Sequence, residues 1–223
     1  MPVLAIAAFV LSGCHSATRA LLDHPRQFPG VTNRDVIFHS AALDRDMPYR
    51  VYLPAELVPG KKLPVVYLLH GNGGSFTNWS NYSDVGRYAA PDHFSGFILV
   101  MAEGGSSYFM NAALKPADRY EDYLVDDLIA DVESRFPAAK GRESRAIVDV
   151  SMGGFAAVKL ALTRPDLFAF AGAISPAIDV PSRRFNLRRW GQSVRFRTLF
   201  GPAGGPSRLA SDPFRLVQSA NPA

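Results

Sequence analysis

The residue most able to do chemistry is Ser151, in the stretch RAIVDVSMGGFAAVKLAL (145–162). An apolar run leads into it and a helical pattern leaves it, with small residues on either side. A serine on so sharp a strand-to-helix turn presents its hydroxyl at a helix N-terminus, where backbone amides can hold a developing oxyanion. A second glycine-rich stretch, His70-Gly71-Asn72-Gly73-Gly74, follows the apolar run VVYLL and can aim another backbone amide at the same point. Together they suit acyl transfer: serine attack, a tetrahedral intermediate, and two amides on its oxygen. The competing reading makes Ser151 a helix N-cap and the glycines close packing.

Other chemistries fit less well. G-x-G-x-x-G starting at Gly71 would need glycine where Phe76 stands, and no G-K-[ST] occurs, so nucleotide binding is set aside. The single cysteine, Cys14, excludes an internal disulfide. Histidines 15, 24, 39, 70 and 93 form no metal-ligand spacing, so neither a metal nor a cofactor is expected. An activated serine needs a base, and no histidine follows Ser151. Of the acids beyond it, Asp166 follows Pro165 at a helix end and Asp212 caps a helix at Pro213. Asp179, after the last visible strand, is the one near a plausible acid position.

These residues need a frame. DVIFHSAALDRDMPYRVYLP reads as a hairpin, with Val36 and Phe38 opposite Tyr49, Val51 and Leu53 and a turn at LDRD. Val65–Leu69 and Phe97–Met101 are runs apolar on both faces, as in central strands of a parallel sheet. EDYLVDDLIADVESRF places Leu124, Leu128, Val132 and Phe136 four apart, which predicts a helix ended by Pro137. RAIVDV is a further buried strand, GGFAAVKLALTR a helix stopped before Pro165, and FAFAGAIS another strand. A hairpin followed by alternating strands and helices indicates an α/β fold with a mostly parallel sheet. Ligands then bind beyond the carboxyl ends of the strands, where the HGNGGS, AEGGSSYF and SMGG loops emerge.

Two segments lie apart from this pattern. MPVLAIAAFVLSGCHS is too short to span a bilayer and suits a signal-peptide core. Its Leu11-Ser12-Gly13-Cys14 resembles a bacterial lipobox, although no Lys or Arg precedes Cys14. That reading divides the chain into a lipoprotein-type signal (1–14), a tether (15–32) and a folded domain (33–223), anchored in the bacterial cell envelope through Cys14. The formal charge of +4 comes largely from SRRFNLRRWGQSVRFR, with Arg183, Arg184, Arg188, Arg189, Arg195 and Arg197. No nucleic-acid motif accompanies it, so a solvated loop or cap helix is expected and no nucleic-acid partner.

PVVYLLHGNGGSFTNW, RYEDYLVDDLIADVE, VSMGGFAAVKLALTRPDLFAFAGAISPAID and DPFRLV resemble the esterase-D-like family of α/β-hydrolases, in family order from about Asp35 to Asn221. That family includes S-formylglutathione hydrolases, feruloyl and acetyl-xylan esterases, and mycolyltransferases. The resemblance implies Ser151 as nucleophile and the Met152 and Asn72 amides as oxyanion hole. It implies that His70, Gly71 and Gly153 shape the loops, and that the Gly104–Tyr108 loop walls the substrate pocket. A small ester or acylated carbohydrate is then the expected substrate.

Two departures from the family pattern matter. Its G-x-S-x-G becomes Asp149-Val150-Ser151-Met152-Gly153, where an Asp side chain should crowd the turn and its carboxylate should oppose oxyanion formation, unless it tilts outward into water. The resemblance also implies two further strands beyond Ala223, carrying the acid and the histidine, so the sheet is expected to lack its last two strands and FAFAGAI to be an apolar edge. The sequence thus predicts a serine carboxylic-ester hydrolase by descent, nearly inactive as this chain. The alternatives are a non-catalytic envelope lipoprotein binding an acyl or glycan ligand, and an acyltransferase to a sugar or lipid acceptor.

Overall fold

The computed structural model describes residues 23–91 and 96–219. Six strands form one mixed sheet in the order β1-β2-β4-β3-β5-β6. β1 (Val31–Ser40) and β2 (Arg45–Pro54) are the expected hairpin, paired antiparallel with Phe38 opposite Met47. β2 joins antiparallel to β4 (Ile98–Ala102), and β4, β3 (Val65–Leu69), β5 (Arg145–Val150) and β6 (Phe170–Ile174) run parallel.

The central strands β3 and β4 carry apolar residues on both faces because both faces are covered. Along β4, Ile98, Val100 and Ala102 enter the larger core with Tyr67, Leu69 and Ile147. Leu99 and Met101 enter the opposite core with Tyr52 and Leu68, where Trp79 also packs. Trp79 lies on α1 (Asn78–Tyr82). The larger core is closed by α2, from Tyr120 to Arg135, whose Leu124, Leu128 and Val132 are buried, as their spacing predicts. The sequence did not announce that α2 widens to a π-helix over Tyr123–Leu128, a segment that turns Tyr123, Leu124, Val125 and Leu128 to the core. α3 (Met152–Thr163) packs on β5 and β6. α4 (Trp190–Phe200), α5 (Pro206–Ala210) and α6 (Pro213–Ser219) complete the chain, with Asp212 Oδ1 capping the Phe214 N–H at 3.0 Å.

Two boundaries differ from expectation. Residues 23–32 are part of the fold rather than a tether. Arg50, almost fully buried, forks onto Asp23 and Asp35 and also donates to Ser80 Oγ, and the Arg26 N–H donates to the Ser80 carbonyl. Phe28 stacks edge-on against Tyr52. A buried guanidinium needs its carboxylates, so the sequence around Asp23 is bound to the sheet as soon as Arg50 is. The last strand starts at Phe170, later than the apolar run suggested, and forms a sheet edge with Phe170 60% and Ile174 53% exposed. Cys14 and His93 lie outside the described residues.

Candidate active site

β5 ends at Val150, and α3 begins at Met152. Ser151 alone makes the reversal, at φ 54° and ψ −108°. That conformation is strained for a residue with a side chain, and it is held from both sides. The Ser151 N–H donates to the Ile174 carbonyl (3.0 Å), while its own carbonyl accepts from Phe155 (3.1 Å) and Ala177 (2.9 Å). The hydroxyl makes no capping bond to α3. The N-cap alternative therefore fails: a cap adopts relaxed extended backbone and uses its oxygen on the helix, and Ser151 does neither.

The β3 loop meets this turn. A Cβ placed on Gly71 would lie 3.5 Å from the Ser151 Cβ. The Gly74 N–H closes a tight turn onto the Gly71 carbonyl (3.0 Å), and Gly73 takes φ 80°, which glycine adopts without strain. Asn72, at the exposed apex, and buried Met152, the first residue of α3, keep their backbone N–H groups unpaired among the described residues. Both amides implied as the oxyanion hole are thus available.

His70 is buried and tied to the loops, not to Ser151. Its Nδ1 lies 2.8 Å from the Gly71 carbonyl, which can only accept, so Nδ1 carries a proton. Nε2 faces the Gly104 N–H at 3.0 Å and Glu103 at 3.6 Å, and the ring stacks edge-on against Phe109. Glu103 was not anticipated. Its carboxylate takes the Gly104 and Gly105 amides on one oxygen and Phe76 N–H on the other, drawing the loops after β3 and β4 together. Burial alone would raise its pKa, but His70 and these amides hold it below the ordinary range. The signal was the acid followed by two glycines in AEGG, whose consecutive N–H groups need an acceptor.

The pocket wall differs from expectation. Gly104 permits the Phe109 ring to lie against its Cα, since a Cβ there would sit 2.3 Å from the ring. Tyr108, at φ 59°, turns into the core and meets Phe155, Phe196 and Phe200 edge-on. Its ring is a core contact, because the positive φ of Tyr108 and Phe109 reverses the chain inward. The concavity beside Ser151 is instead a cavity of about 270 Å³ lined by His70, Gly71, Trp79, Tyr82, Val150 and Ile174, apolar over most of its surface.

Asp149 does not tilt outward. It is fully buried, its Oδ1 accepts the Val150 N–H (2.5 Å), and its Oδ2 has no partner among the described residues. The carboxyl lies over Gly153, where a Cβ would come within 1.9 Å of Oδ2. Burial pushes the Asp149 carboxyl well above the usual range, so the neutral form is favoured. The crowding at the turn is real, and burial works against the charge that would repel an oxyanion. Asp179 is engaged by Arg183 through two hydrogen bonds of 2.8 and 3.0 Å, and that pairing holds its carboxyl below the usual range.

A strained serine turn, two free amides and an abutting glycine loop are the geometry of an α/β-hydrolase nucleophile elbow. The family described as "Putative esterase" matches residues 40–222. The chain belongs to this esterase family. A relative, the endo-1,4-beta-xylanase/feruloyl esterase of Xylanibacter ruminicola, is 30% identical over 159 residues, covering 66% of this chain and 22% of that protein. The chain thus spans about a fifth of that relative's length. Among solved structures, the S-formylglutathione hydrolase of Agrobacterium tumefaciens superposes with TM-score 0.71 at 22% identity, covering 89% of this chain and 75% of its own. FphF, a fluorophosphonate-binding serine hydrolase of Staphylococcus aureus, superposes with TM-score 0.68 at 24% identity, covering 85% and 73%. The α/β-hydrolase fold follows from these likenesses. At the site, the family member departs from its own pattern at Asp149.

Proposed function

We propose that this chain carries the nucleophile and oxyanion hole of a serine carboxylic-ester hydrolase, with Ser151 forming the acyl-enzyme. The observation that carries this reading is the Ser151 backbone, φ 54° and ψ −108°, with a hydroxyl that makes no helix cap. Oγ attacks the ester carbonyl, the C=O oxygen gathers charge against the Asn72 and Met152 N–H groups, and the alcohol leaves with a proton. The feruloyl esterase relative supports an acyl group esterified to carbohydrate, and the 270 Å³ apolar cavity suits a small acyl body.

The proton is the weak link. His70 is committed to the Gly71 carbonyl and the Gly104 loop, and Asp179 to Arg183. Ester turnover by these residues alone is therefore slow, at the residual level of about 10³–10⁴ over water that an oxyanion hole sustains without its base. The same features favour a second reading, in which the site binds an acylated ligand without turnover. Labelling with a fluorophosphonate probe tests the proposal: wild-type chain should label at Ser151, slowly for want of a free base but faster than the urea-unfolded chain, and Ser151→Ala should not. Labelling of the folded chain no faster than of the unfolded one favours the binding reading. We also propose envelope anchoring through Cys14, on the Leu11–Cys14 motif alone; radiolabelled palmitate that fails to attach, or attaches equally to Cys14→Ser, argues against it.

A further inference from the structure

We propose that the cap formed by residues 181–212 holds a site for a small organic anion, a carboxylate or phosphate carried on a flat apolar body. The site does not depend on the esterase reading. Its centre is Arg208, on α5, which is only 7% exposed. One guanidinium nitrogen, Nη1, donates to the Arg183 carbonyl at 3.2 Å, and Nε is buried with no partner. Among the described residues no carboxylate reaches it.

Buried guanidinium groups are ordinarily paired, because removing the charge from water without a counter-ion is costly. The contrast with Arg50 is instructive. That residue, also buried, takes two carboxylates and is held strongly in its charged form by them, whereas burial alone acts on Arg208 and lowers its pKa. Arg208 is built like a receptor whose counter-ion comes from outside.

The surroundings have the same bias. Arg208 faces two adjoining cavities of about 440 and 340 Å³, which share Arg183, Arg184 and Ala203. Arg197 lines the larger one. Among the described residues only Arg183 of these four arginines has a carboxylate partner, Asp179. Asp212 reaches the smaller cavity, but its Oδ1 is spent on capping α6. Phe185 and Trp190 stand edge-to-face at the larger cavity, their centroids 5.7 Å apart and both rings largely exposed. Arginines inside and exposed aromatic faces at the mouth suit an anion with a flat apolar body.

The test is thermal unfolding and tryptophan fluorescence of the whole chain titrated with benzoate and with inorganic phosphate, against chloride at matched ionic strength. A saturable rise in Tm, about 3–5 °C at ten times Kd, is expected with at least one of the two. Benzoate binding should also change Trp190 emission, a change lost in Trp190→Phe. Arg208→Met should remove the saturable response without lowering the Tm of the free protein, and Arg208→Lys should weaken binding about tenfold by losing the forked contact. The tighter probe tells whether the natural group is a carboxylate or a phosphate. The proposal is overturned if chloride reproduces the shift, if Arg208→Met keeps it, or, should that variant fail to fold, if Arg208→Lys binds with unchanged Kd. Fluorophosphonate labelling of Ser151 should be the same in all Arg208 variants, which separates failure here from failure of the esterase reading.

Discussion

The contact between Asp149 and Gly153 makes a prediction that the two residues are energetically one unit. Gly153 lies in the first turn of α3 with ordinary helical backbone, where alanine would normally be favoured by about 1 kcal/mol. Here a Cβ would meet Asp149 Oδ2 at 1.9 Å, Cγ at 2.1 Å and Oδ1 at 2.2 Å. The carboxyl cannot swing away cheaply, because it is fully buried and Oδ1 is held by the Val150 N–H. Overpacking of this kind costs about 1–3 kcal/mol, and so close an approach argues for the upper end. Gly153→Ala alone should therefore lose about 2 kcal/mol once the helical gain is counted. In an Asp149→Gly background the same substitution fills vacated space and should gain up to about 1 kcal/mol. The coupling energy of about 2–3 kcal/mol is read from four urea or guanidinium melts. Additive behaviour, within about 0.5 kcal/mol, would refute the reasoning.

Asp149 and Asp23 should give opposite pH dependences. Burial raises the folded pKa of Asp149, so its contribution is greatest below the unfolded value of 3.8 and is lost as pH rises toward the folded value, by about 1.4 kcal/mol per unit. Asp149→Asn should thus become increasingly stabilising relative to wild type as pH is raised from 4. Asp23 is held low by its hydrogen bonds from Arg50, so its contribution is present above 3.8 and is lost as pH falls through the lowered folded pKa; Asp23→Asn should destabilise at neutral pH and become progressively silent on acidification. Stability curves with pH that run parallel for wild type and variant would remove either claim. Arg50→Met should cost about 2–3 kcal/mol, less than the loss of a fully buried pair because Asp23 and Asp35 keep part of their water. It should also open residues 23–30 to limited proteolysis; an unchanged cleavage pattern would count against the role of Arg50 as their anchor.

Much of this architecture was legible in the chain. The runs at Val65 and Phe97 had to be doubly covered strands, and the Leu124 series had to face a core, because apolar periodicity records which faces lose water. The elbow was legible because only a short list of local structures places a serine between a buried strand and a helix opening with two glycines. What stayed hidden depended on partners distant in sequence. Asp23 and Arg50 are 27 residues apart, and nothing local says that they meet. The family resemblance implies Tyr108 as a pocket-wall residue, yet a positive φ sends its ring to Phe155 and Phe200. The upward pKa shift of Asp149 could not be read either, since it follows burial and not residue type.

The bonds that clamp Ser151 also tie its conformation to the sheet edge. Its strained backbone is held by the Ile174 carbonyl and the Ala177 amide, which belong to β6 and the turn after it. Among the described residues β6 pairs with β5 alone, and Phe170 and Ile174 on it are largely exposed. Such an edge is where native proteins open first. Any opening of β6 from β5 would break the Ser151 bond to the Ile174 carbonyl and free the turn to relax. Hydrogen exchange at the Ser151 amide would register each such excursion as a brief loss of the strained turn in a chain whose core is still intact.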